Sequence, residues 1–78
     1  KEVALTAHEY DILYLLVENP QKVFTRERLY ELVWQGGYYG ENNTVNVHVS
    51  NIRKKLKELA PEEEYIQTVY GIGFKMKE

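Results

Sequence analysis

The chain has 78 residues, of which 44% are hydrophobic and 28% charged, with no cysteine; that length holds one domain with one core, and the composition is that of a folded globular protein without disulfide or thiolate chemistry. No apolar run approaches the roughly 18 residues that cross a bilayer, and the start, Lys1-Glu2-Val3, lacks the apolar stretch of a signal peptide, so no membrane partner and a cytoplasmic location are expected. The net charge of −2 argues against a polyanionic partner, yet residues 43–57 contain Arg53, Lys54, Lys55 and Lys57 and no acid, so a local +4 stands against −6 in the remainder.

In chain order, Val3 and Leu5 alternate with polar or small residues as a short strand-like run. Thr6-Ala7-His8-Glu9 then offers a capping box, with Leu5 set to staple against Tyr10. The first helix should run from there to about Glu18, stopped by Asn19-Pro20, with Leu13, Leu16 and Val17 as its inner stripe. Lys22-Val23-Phe24 reads as extended. Thr25 is the next N-cap, and Leu29, Leu32 and Val33 recur at helical spacing, predicting a second helix over 26–34 that ends at Gly36-Gly37. From 43 to about 59, Val45, Val49, Ile52, Leu56 and Leu59 recur in steps of four and three, the most regular helical pattern in the chain. Glu62-Glu63-Glu64 reads as a solvated loop run. Tyr65 to Val69 and Phe74 to Lys77 flank Tyr70-Gly71-Ile72-Gly73 as a hairpin with a glycine-bearing turn.

The third helix has an unusual outer face. Opposite its apolar stripe stand Asn43, Val47, Ser50, Asn51 and Lys54, with Arg53 and Lys57 on one shoulder and His48 and Lys55 on the other. Short amides, a hydroxyl and an outward valine let a helix enter a groove, where Asn can bond an adenine edge, a valine methyl can meet a thymine methyl, and Lys and Arg can reach phosphates. A plain amphipathic helix with basic residues at its C-terminus is the alternative for this segment alone. The order of elements favours the groove reading: two capped helices, this helix and then a hairpin make an α+β winged helix-turn-helix, a three-helix core with a C-terminal β-hairpin wing.

The residues Leu5-Thr6, Glu9-Tyr10, Leu13, Asn19-Pro20, Thr25-Arg26-Glu27, Val33-Trp34, Thr44 to Ser50, Ile52 to Leu56, Ile66 to Val69 and Gly71 to Lys75 carry a resemblance over nearly the whole chain. The chain resembles the C-terminal DNA-binding domain of the OmpR/PhoB family of two-component response regulators. The resemblance implies sequence-specific binding of double-stranded DNA on tandem half-sites, and a short strand between the first two helices at Val23-Phe24. It also implies a preceding phosphate-accepting receiver domain and a four-stranded N-terminal sheet, of which only residues 1–5 match a last strand, so that 1–78 is the winged-helix domain alone. Carried over by position, Val47 and Asn51 face bases, while Asn43, Thr44, His48, Ser50, Arg53 and Lys54 touch backbone or groove edges. Arg26, Trp34, Thr68, Tyr70 and the Gly71 amide complete the backbone and wing contacts. RNA polymerase is expected at the 36–42 loop, and a sensor kinase only through the receiver domain. Members often carry Arg where this chain has Asn51 and Tyr70, and Tyr where it has Phe74, which bears on wing readout.

Other chemistry finds no support. Gly71-Ile72-Gly73 lacks the third glycine and following helix of a dinucleotide loop, and no nucleophile stands beside a base and an orienting group, so no enzyme and no cofactor are expected. His8, read as an exposed first-turn residue, and His48 suggest no metal site. Trp34 reads as packing more than contact, Tyr10 and Tyr30 fall on core-compatible positions, and Tyr38 and Tyr39 lie in a loop. A winged helix used for protein contact, in keeping with the acidic total, is the alternative function.

Overall fold

The computed structural model describes residues 4–34 and 42–77, without the side chains of Asn42 and Asn43. Three helices precede a hairpin, in the order α1 (Ala7–Glu18), β1 (Phe24–Thr25), α2 (Arg26–Trp34), α3 (Asn42–Leu59), β2 (Ile66–Val69) and β3 (Gly73–Met76). The loop readings for Gly36-Gly37, Tyr38, Tyr39 and the 36–42 segment fall largely outside the described residues, as do residues 1–3 of the expected first strand; Ala4 and Leu5 lie in no strand.

Local signals set the helix ends. The Thr6 amide donates to Glu9 Oε1 at 3.0 Å and the Glu9 amide to Thr6 Oγ1 at 3.2 Å, the reciprocal capping box expected. The Arg28 amide donates to Thr25 Oγ1 at 3.0 Å, so α2 begins after its predicted cap. At the far end of α1 the Asn19 side chain donates back to the Leu15 carbonyl at 2.9 Å.

Ile12 and Leu16 from α1, Leu29 and Val33 from α2, and Val45, Val49 and Ile52 from α3 form the core, closed below by Phe24, Ile66 and Phe74 of the sheet. Four expectations fail here. Val17 is exposed, because it lies about 140° round the helix from Ile12, which takes the core position. Tyr10, about 160° from Ile12, is also exposed and stacks on Tyr14 with centroids 6.1 Å apart rather than entering the core. His8 is half-buried, its ring 4.4 Å from that of Trp34. Leu59 is exposed, because α3, at 18 residues against 12 and 9, outruns the helices it packs on.

The sheet has the order β1-β3-β2, all antiparallel. β1 and β3 each sit one residue from the Val23-Phe24 and 74–77 readings, because Gly73 pairs with both Thr25 and Val69, and β2 begins at Ile66 rather than Tyr65. A Cβ on Gly73 would collide with the Phe24 carbonyl, so the central strand passes its short neighbour only with glycine there. At the hairpin tip the Ile72 amide donates to the Val69 carbonyl at 3.0 Å, and Gly71 takes φ +75°, the positive value this turn requires at its third residue.

Candidate nucleic-acid interface

Around α3, three sectors have different fates. The sector turned toward α1 and α2 is partly covered by packing. His48 Nδ1 donates to the Thr44 carbonyl at 2.7 Å, and its ring meets Trp34 edge-on at 5.0 Å between centroids; Trp34 in turn stacks on Tyr30 at 4.9 Å. Thr44, His48 and Trp34 are therefore half-buried. Lys55, read from sequence as a flank cation, sits on this side too. Its Nζ donates to Glu9 Oε1 at 2.6 Å and to the Ala4 carbonyl at 2.9 Å.

Glu9 is the one buried charged residue among those described, its side chain 4% exposed against 32% for Lys55. Burial pushes its carboxyl upward, but the Lys55 and Thr6 hydrogen bonds, with the charges of Lys55 and His48, more than offset this and hold it below the ordinary carboxylate value. The pair fastens the first turn of α1 to the C-terminal part of α3.

The outward sector is open. Val47 is 53% exposed, Ser50 and Lys54 are exposed, and Asn51 is half-buried beside them. Lys54 has no ion-pair partner among the described residues. The side chain of Asn43 lies outside the described residues.

The third sector faces the hairpin and builds a concavity of about 320 Å³. Arg26 from the start of α2, Ser50 and Arg53 from α3, and Thr68, Tyr70 and Gly71 from the wing all line it. Arg53 Nη2 donates to the Ile66 carbonyl at 3.1 Å and to Thr68 Oγ1 at 2.6 Å, and its guanidinium lies 5.8 Å from the Phe74 ring centre, so one arginine straps the helix to the wing. Arg26 Nε is buried with no hydrogen-bond partner among the described residues. Tyr70 is 94% exposed at the rim.

Six of the sequence-predicted residues thus converge in one groove, while Val47, Asn51 and Lys54 form the ridge beside it. Asn46 was missed. It is exposed and lines the concavity, and the signal was available: it falls about 20° from Arg53 on the helical projection. A second concavity of about 230 Å³, which shares Ser50 and Arg53 with this groove, is lined by Lys54 and Lys57 together with Glu63 and Glu64. Among the described residues no group of three or more His, Cys, Asp or Glu could hold a metal, and no helix is long and apolar enough to cross a membrane.

Residues 1–76 match the family described as "Transcriptional regulatory protein, C terminal". The chain is 46% identical over 74 residues to the uncharacterized transcriptional regulatory protein YclJ of Bacillus subtilis, covering 95% of this chain and 32% of that protein. It is 44% identical over 77 residues to the transcriptional regulatory protein ResD of the same organism, covering 97% and 32%. The chain therefore spans about a third of the length of these relatives. The DNA-binding domain of the response regulator AdeR, solved in complex with an intercistronic region, superposes with a TM-score of 0.84 at 33% identity, over 97% of this chain and 74% of that one. With three helices, a C-terminal hairpin and a family match along nearly its whole length, the chain belongs to the OmpR/PhoB family of response-regulator C-terminal domains, a winged-helix family of transcriptional regulators and not of enzymes.

Proposed function

We propose that the chain binds double-stranded DNA in a sequence-specific manner, with α3 in the major groove and the hairpin wing beside the minor groove, as the transcription-regulating output of a cytoplasmic two-component response regulator. The observation that carries this reading is the concavity between α3 and the wing. There Arg26 joins Arg53, Thr68 and Gly71 next to the ridge of Val47, Asn51 and Lys54. A phosphate seated in the groove would meet the Arg26 and Arg53 side chains that line it, and the ridge would then lie against base edges.

In this reading Val47 meets a thymine methyl and Asn51 bonds adenine N7 and N6. Asn43, Thr44, Ser50 and Lys54 would hold the flanking backbone, with Trp34 and His48 at the edge. His48 spends Nδ1 on Thr44, so its other nitrogen donates to a phosphate only when the ring carries both protons. Two copies would occupy tandem half-sites. RNA polymerase would meet the 36–42 loop, and a sensor kinase would act through a preceding receiver domain, for which the greater length of the relatives leaves room. Selection of duplexes from a random library, followed by titration of the winners at several salt concentrations, tests the reading. A selected consensus bound with a steep salt dependence is expected; salt-insensitive binding to protein alone would replace DNA with a protein partner.

A further inference from the structure

We propose, resting on that DNA reading, that the wing tip is an apolar wedge: Tyr70, with Ile72, enters the minor groove and grips a flexible pyrimidine–purine step by stacking and van der Waals contact rather than by charge.

Tyr70 is 94% exposed and Ile72 53%, and the two flank Gly71. Their presentation is fixed, since Gly71 at φ +75° and the 3.0 Å bond from the Ile72 amide to the Val69 carbonyl define the turn between them. Residues 65–74 contain no charged side chain. The tip therefore brings no cation and can displace no counterion, so whatever it adds to DNA affinity is independent of salt. Next to the tip, the groove with Arg26, Arg53 and Thr68 is continuous with the outer face of α3, and phosphates held there would set the tip against the duplex edge.

An aromatic ring and a branched aliphatic chain offer a duplex base faces and sugar edges to touch. Apolar side chains enter the minor groove by prying a base step apart, and TA and CA/TG steps open most readily. The wing would thus read deformability rather than a narrow, electronegative groove.

The test takes a duplex selected by the wild-type chain and remakes it with either a TA step or a stiff A-tract under the wing. Wild-type, Tyr70→Ala, Tyr70→Phe and Tyr70→Arg chains are then titrated on both at several salt concentrations. The wild-type chain should prefer the TA duplex. Tyr70→Ala should bind that duplex about five-fold or more weakly, lose the preference and keep the salt slope, while Tyr70→Phe keeps both affinity and preference. Tyr70→Arg should steepen the slope by about one and turn the preference toward the A-tract. Melting temperatures should match throughout, because the side chain is solvated. Equal binding of wild-type and Tyr70→Ala chains to both duplexes would overturn the wedge and leave the α3 reading standing. A Tyr70→Ala effect confined to cooperativity between half-sites would make the tip a contact between copies and would also overturn it. A wild-type chain that selects no duplex would overturn both readings.

Discussion

Asn51 and Val47 lie one turn apart on α3, and each offers a base a different kind of contact. A bidentate Asn–adenine contact discriminates by roughly 1–3 kcal/mol, so Asn51→Ala should flatten selection at one base pair, and Val47→Ala should act more weakly at its neighbour. Neither change should lower the melting temperature much, because Val47 is exposed and Asn51 is no part of the core; a large loss of stability would mean that the ridge faces inward. Glu9 is the opposite case, a side chain whose work is internal. Its folded carboxyl titrates below its ordinary value, so its stabilising effect is complete above the ordinary carboxylate pKa of about 4.3 and fades as pH falls through the lower folded value. Urea melts from pH 6 to pH 3 should show stability dropping across that window, with Glu9→Gln less stable by about 2–3 kcal/mol at pH 6 and flatter below it. An unchanged pH profile in the variant would mean that the Lys55 pair contributes nothing. The capping half of Glu9's role was legible in Thr6-Ala7-His8-Glu9; its partner 46 residues away was not, because no local pattern reports a long-range contact.

At the level of elements, what the sequence told well was whatever depends on neighbours a few residues apart. Both caps lie where Thr6 and Thr25 put them, and α2 has the bounds its spacing predicts. Positions that depend on which helix lies alongside read less well: Val17 and Leu59 carry the right residue type for a core but sit on a face or a turn that nothing covers. The site followed the same division. The outer face of α3 could be projected from periodicity, whereas the groove with Arg26 and Asn46 exists only because the hairpin folds back against α3. Gly73 is where that folding is decided, since β3 can lie against β1 only without a side chain there. Gly73→Ala should therefore destabilise the domain by about 3 kcal/mol, the upper end of the cost of overpacking. It should also open the β1–β3 pairing before the helices melt. Amide exchange would show Phe24 and Thr25 losing protection first; uniform loss of protection would mean that the strand is not a separable weak point.

Over the whole molecule the charge is divided, +4 within residues 43–57 and −6 elsewhere, and a domain so divided can orient a basic face toward a polyanion while its acidic remainder turns away. The count of basic residues overstates that face. Four cations lie in the segment, yet Lys55 is held by Glu9 and the Ala4 carbonyl, and Arg53 already spends one guanidinium nitrogen on Ile66 and Thr68. Lys54 is exposed and without an ion-pair partner among the described residues. Each phosphate neutralised contributes about 0.9 to the slope of log affinity against log salt on duplex DNA, so slope and stability separate the two lysines. Lys54→Ala should lower the slope by about 0.9 and leave the melting temperature where it is. Lys55→Met should do the reverse, leaving the slope intact while costing about 2–3 kcal/mol, because it strands the buried Glu9 carboxylate. Arg53→Ala should fall between them, weakening the strap to the wing and also removing the donors its guanidinium has left over. Salt titrations paired with thermal melts on these three variants decide the matter: a slope loss for Lys55→Met equal to that for Lys54→Ala would mean that the Glu9 pair opens when DNA binds and that Lys55 turns to a phosphate.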